Sequence, residues 1–171
     1  METLRRAFHY LANLEWTERV QNTCVFCDRA NFASIVYEDD DIISIDNRRL
    51  AGQFHWLIIP KSHHVRDVEA LDIHHLPLLQ AMDRVKRTLL AHNCPDLPLS
   101  DVHAGYHRGR RPLFGSVHYP DIVSIHHLHL HVIVRPYLSM WLFKYPPWLP
   151  FMWKSDATVL KCVTRGKHGI S

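Results

Sequence analysis

From position 125 to position 134 the chain reads Ile-His-His-Leu-His-Leu-His-Val-Ile-Val, and Pro136 closes the run. Successive side chains of an extended strand turn to opposite faces. The spacing therefore predicts a strand with His127, His129 and His131 on one face and Leu128, Leu130 and Val132 on the other. The apolar face has to be covered by a core or a helix, which turns the imidazoles toward a cleft or solvent where a ligand reaches them. His126 points to the face opposite the triad and reads as a satisfied core or helix-contacting residue.

Other segments supply the sheet and its cover. Residues 35–37 and 42–45 flank an acidic turn and read as a hairpin. Residues 54–59 form a nearly continuous apolar strand that stops at Pro60, which cannot donate to a ladder. Residues 102–106 are a short strand, and 107–123 read as a long Gly/Pro/Arg-containing loop. Leu78, Met82, Val85 and Leu89 recur at helical intervals over 76–92, with Pro77 acceptable only in the first turn. Residues 3–21 predict an amphipathic amino-terminal helix, and 157–163 a short one. About five strands, a central helix and no regular strand-helix-strand alternation indicate an α+β fold with an antiparallel sheet. The organisation expected is an amino-terminal extension (1–22), one domain (23–136) and an aromatic carboxy-terminal tail packing on it (137–171).

At 171 residues one compact domain is the default. No stretch approaches the 18 or so apolar residues of a membrane span, and the charged first twenty residues lack a signal-peptide core. The expectation is an intracellular protein, cytoplasmic or also nuclear, with no membrane partner. A formal net charge of +3 fits an anionic small ligand and falls short of a nucleic-acid-binding footprint. Of the four cysteines only Cys24 and Cys27 are closely spaced, and metal ligation is the better reading of that pair. The 15 histidines are several times the usual share; His74, His75 and His92 flank the helix and read as solvated.

Three aligned imidazoles suit two chemistries. They can chelate a metal, as imidazole commonly does for zinc. Alternatively, one neutral imidazole attacks phosphorus while its neighbours fix its tautomer and protonate a leaving group. Spacing alone leaves both open.

The run from His127 to Ile133 is similar to the signature of the histidine-triad (HIT) superfamily, and other landmarks follow in that family's order. They are Cys24-Val-Phe-Cys27, Tyr37-Glu38-Asp39-Asp40, Asp46, the stretch from His55 to His63, and Ser124, so the resemblance spans 23–135. Gly105-Tyr106-His107 and the aromatic tail look most like the Hint branch. The resemblance implies a HIT-like fold and a purine nucleoside phosphoramidase that hydrolyses the P–N bond of adenosine 5'-monophosphoramidate-type substrates (AMP-amine, AMP-lysine, aminoacyl-adenylate) through a covalent nucleotidyl-histidine. It implies His129 as nucleophile, His131 and His107 at the phosphate or sugar, Ser124 near the leaving group and Asp46 on the ribose hydroxyls. It also implies structural zinc on Cys24, Cys27, His63 and His127, no organic cofactor, His55 beside the triad, and a homodimer through the central helix and a sheet edge.

Alternatives are a HIT hydrolase of dinucleoside polyphosphates or adenylated DNA ends, a non-catalytic nucleotide-binding zinc protein, and a metallohydrolase with all three histidines on a catalytic metal. Nucleic acid is the less favoured partner, since no second zinc-finger pattern follows the triad. Two departures stand out. The segment between His107 and Ser124 is longer than in those relatives and carries Arg108, Arg110 and Arg111, which either screen phosphate charge or form a solvated run. Ser44 stands where many relatives have an aromatic near the base.

Overall fold

The computed structural model describes residues 24–32 and 34–166; the helix expected over 3–21 lies outside them. Six strands form one antiparallel sheet: β1 (Ile35–Glu38), β2 (Ile42–Asp46), β3 (Gly52–Pro60), β4 (Val102–His107), β7 (Leu130–Pro136) and β8 (Trp153–Ser155), in the order β1-β2-β3-β7-β4-β8. A separate hairpin pairs β5 (Arg111–Phe114) with β6 (Val117–Tyr119). The helices are α1 (Leu76–Asn93), α2 (Leu138–Phe143) and α3 (Asp156–Thr164).

Local chemistry explains the first hairpin. Asp39 accepts hydrogen bonds from the backbone N–H of Asp41 at 2.9 Å and of Ile42 at 2.7 Å, which turns the chain between β1 and β2. One face of the sheet, with Ile42, Trp56, Ile58, Leu130, Val132 and Val134, packs against Leu79, Met82, Val85 and Leu89 of α1. Leu79 heads that buried stripe; Leu78, expected there, sits half-buried at its edge. The opposite face carries Ile43, Ile45, Leu57 and Ile59 against Cys24 and Phe26, and it is this face that positions the site. Ser44 is fully buried on the α1 side, and Ile45 takes the place on the cavity side.

Three expectations change. The triad strand starts at Leu130, not Ile125: the Leu128 N–H donates to the Val65 carbonyl at 2.9 Å and the His127 N–H to the Ile125 carbonyl at 2.9 Å, so 125–129 bends outside the sheet. Only His131 of the triad lies in the sheet, between Leu57 of β3 and Gly105 of β4. The expected loop 107–123 holds the β5–β6 hairpin, turned at Gly115 with φ of 52°, with Leu113, Phe114 and Val117 exposed. The tail is integral rather than appended. Its β8 pairs with β4, where a side chain at position 105 would put its Cβ 2.4 Å from the Lys154 carbonyl, so only glycine admits the strand. After β8, the Ser155 hydroxyl caps α3, and Lys86 of α1 bridges Asp83 and Asp156.

Candidate active site and metal centre

Before β1 the chain makes a short helical turn, Val25–Cys27, which brings Cys24 and Cys27 against the bend that carries His127. Cys24, Cys27, His63 and His127 offer ligand atoms that all lie within 4.8 Å of one another. Backbone carbonyls fix both ring tautomers. The His127 Nε2–H donates to the Pro60 carbonyl at 2.8 Å, and the His63 Nε2–H to the His126 carbonyl. Each Nδ1 lone pair is then turned to the sulfurs: His63 Nδ1 is 3.2 Å from Cys27 Sγ, and His127 Nδ1 is 3.6 Å from Cys24 Sγ and 3.7 Å from Cys27 Sγ. Desolvation and the neighbouring Cys24 thiol push the Cys27 thiol up to about 11, so Cys27 resists ionisation unless a cation joins it. Two sulfurs and two carbonyl-oriented imidazoles fit a closed tetrahedral zinc site.

His129 and His131 take no part in that group. Both are buried and line a cavity of about 500 Å³ with Asp46, His107, Ser124 and Lys144. The His129 Nδ1–H donates to the His127 carbonyl at 2.7 Å, which leaves Nε2 as the basic nitrogen. Phe26 meets the His129 ring edge-on, with centroids 5.1 Å apart. Behind His131, the His55 Nδ1–H donates to the Arg49 carbonyl at 3.1 Å; His55 Nε2 therefore accepts, and His131 Nδ1–H donates to it at 3.0 Å. That relay leaves the buried His131 Nε2 with no hydrogen-bond partner, as is His107 Nδ1.

Burial holds the His129 imidazole below its ordinary range and His131 well below it, with the charges of His129, His107 and His55 adding to the effect at His131. The same cause lowers His107 to about 3 and His55 to about 4. At neutral pH the cluster is uncharged: the free-base nitrogen of His129 suits attack on phosphorus, and the unpartnered His131 Nε2 can hold a phosphate oxygen once it carries a proton. Asp46, half-buried at the end of β2, and exposed Ser124 line the same cavity.

Two placements differ from the arginine readings, and His126 is satisfied as expected. Buried Arg108 makes a bidentate pair with Glu69 at 2.7 and 2.8 Å. Arg111 lies over the Tyr119 ring at 4.3 Å and donates to the Phe151 carbonyl. Both anchor the hairpin's base, and Arg110 is exposed. His126 pairs with Asp121 at 2.9 Å. The cations that do line the cavity are Arg48, Arg49 and Lys144, which carry no sequence pattern to mark them.

Comparison with known proteins gives the same frame. The family model described as scavenger mRNA decapping enzyme C-term binding matches residues 23–144. The chain is 34% identical over 127 residues to adenosine 5'-monophosphoramidase HINT3 of Xenopus tropicalis, covering 71% of this chain and 74% of that protein. It is 30% identical to the bifunctional adenosine 5'-phosphosulfate phosphorylase/adenylylsulfatase HINT4 of Arabidopsis thaliana, over 71% of this chain and 77% of the relative. Aprataxin of Danio rerio is 30% identical over 68% of this chain, which spans only 31% of that protein. Among solved structures, a HIT family hydrolase from Clostridium thermocellum superposes with a TM-score of 0.54 at 22% identity, over 67% of this chain and 92% of the other, a likeness of fold alone.

Proposed function

Since the chain belongs to the histidine-triad superfamily, we propose that it is a nucleotide hydrolase of the phosphoramidase kind, cleaving the P–N bond of adenosine 5'-monophosphoramidate-type substrates. The observation that carries this reading is the His129 tautomer: its Nδ1–H is held by the chain's own carbonyl, so Nε2 meets the cavity as a neutral nucleophile. Similarity to the HINT3 phosphoramidases supports the substrate class.

In the proposed reaction His129 Nε2 attacks phosphorus, the P–N bond breaks, and the amine leaves with a proton drawn from solvent water through the Ser124 hydroxyl. Ser124 supplies a hydroxyl on the leaving-group side. Water then attacks the same phosphorus and gives its proton to solvent, the N–P bond to His129 breaks, and AMP leaves with His129 again a free base. His131 serves the phosphate oxygens through Nε2: a bound negative charge favours a proton there, against the burial that otherwise opposes it. His107 lies beside it, ring centroids 5.0 Å apart, and Asp46 accepts from the ribose hydroxyls. Zinc on Cys24, Cys27, His63 and His127 would supply no reacting group; it would tie the turn at Cys24 to the bend that carries the nucleophile.

The test is His129→Asn. Turnover of adenosine 5'-phosphoramidate should vanish while AMP binding persists by calorimetry, and wild-type protein quenched in acid should carry an adenylyl group on the peptide containing His129. Turnover retained in the purified variant would sink the assignment.

A further inference from the structure

The cavity wall carries more positive charge than an adenylate amide needs. Arg48, Arg49 and Lys144 line it against a single carboxylate, Asp46. Arg48 is directed elsewhere, donating to the Asn31 carbonyl at 2.7 Å. Arg49 and Lys144 have no carboxylate partner among the described residues, and the charge that Lys144 meets is the like charge of Arg49.

Lys144 stands at the His131 end of the cavity, and the Arg49 charge acts on it. The Lys144 ammonium lies over the Tyr145 ring at 5.3 Å, and that ring packs 5.2 Å from His131. The Arg49 carbonyl holds His55, which in turn holds His131. An AMP amide brings one negative charge to this end, on the phosphoryl oxygens, and His131 Nε2, protonated on binding in the proposed reaction, answers that one charge. Two solvent-exposed cations at one cavity wall, with no carboxylate partner among the described residues, favour a second negative charge in the occupied site.

Building on the proposed reaction, we propose that Arg49 and Lys144 form a subsite for an anionic leaving group, so that the enzyme prefers adenylates whose departing group carries a carboxylate, sulfate or phosphate close to the scissile bond. An amino acid joined through its nitrogen, carboxylate free, is the simplest such substrate. The P–N bond still breaks as above; the subsite holds the departing anion and takes no proton.

The experiment compares kcat/KM for AMP linked through nitrogen to glycine and to glycinamide, which differ in one charge. The wild-type ratio should favour glycine by about ten-fold at low salt, the size of two partly screened ion pairs, and shrink as salt rises. Because the two amines differ in basicity, the diagnostic is the change in that ratio: Lys144→Gln and Arg49→Gln should each reduce it severalfold, and Lys144→Arg should restore it. A ratio unchanged by Lys144→Gln overturns the subsite while leaving the phosphoramidase reading intact. A binding arm uses His129→Asn protein with AMP and ADP, the latter carrying its second anion as phosphate. If neither amidate is turned over, the reaction is wrong. In that case tighter ADP than AMP binding, lost on adding Lys144→Gln, still upholds the subsite, and equal affinities overturn it.

Discussion

A neutral histidine has two tautomers, and a buried carbonyl next to one nitrogen removes the choice, because a carbonyl oxygen can only accept. Among the histidines of the metal centre, the triad and its neighbour His55, four are set in that way, by the carbonyls of Arg49 (His55), His126 (His63), Pro60 (His127) and His127 (His129). One consequence is a pH profile. The nucleophile works as the free base, and burial lowers the His129 pKa below the ordinary 6.5. The free base therefore persists to more acidic pH than in an exposed histidine. The plateau of kcat/KM should extend below pH 6.5, and its acid limb should fall only beyond that; a limb centred at 6.5 or above contradicts the assignment. A second consequence concerns His55. Replacing it by Phe removes the acceptor that holds His131 Nδ1–H, and kcat should fall by about ten-fold or more, the scale seen when a metal-bound histidine loses its orienting partner. Metal content, measured on the same sample, should be unchanged.

Between elements, the join of β4 to β8 governs how the tail meets the cavity. Trp153 of β8 packs beside His107 and His131, with ring centroids 5.2 and 5.8 Å apart. Gly105→Val would drive a side chain into the Lys154 carbonyl and the Trp153 ring, 2.4 and 2.7 Å from the Cβ position. Overpacking of this kind costs about 1–3 kcal/mol, so the thermal midpoint should drop and KM for the nucleotide should rise together. Unchanged values would mean that β8 does not brace the site. This join was invisible in the sequence: β8 has three residues, too few for a period, and its partner lies some fifty positions upstream. The strands of the first hairpin, the β3 run ending at Pro60 and the α1 stripe were legible because alternation, proline and helical spacing are local signals. The triad and the cysteine pair stood out because their residue types and spacing carry chemistry, whereas Asp46 and Ser124 were named only through the family resemblance; both line the cavity. The arginines were misleading in both directions. Arg108 and Arg111, read as a possible screen for phosphate charge, are claimed by Glu69 and the hairpin, while Arg49 and Lys144, which no sequence pattern marks, line the cavity. Only tertiary partners separate those cases.

At the scale of the whole molecule, burying several uncharged histidines in one cluster ties folding to pH. His55 is fully buried with its pKa lowered to about 4, His107 is lowered to about 3, and His131 lies well below the ordinary value, in each case chiefly through burial. In the unfolded chain each titrates near 6.5. Between those limits the unfolded state binds more protons than the folded one, so stability falls as pH falls. The loss begins near pH 6.5 and continues to about 4 for His55, on the order of 3 kcal/mol for that residue alone. The urea midpoint should therefore drop steeply between pH 6.5 and 4.5, a range in which most carboxylates stay ionised. A zinc site of two thiolates and two imidazoles would weaken in the same range, because protons compete for its ligands. The two contributions separate experimentally. Zinc-loaded protein should show the steeper slope, and Cys24→Ser protein, deprived of one ligand, should start lower yet keep the slope of the buried histidines. A flat midpoint from pH 6.5 to 5 in the Cys24→Ser variant would mean that the cluster accepts protons without unfolding.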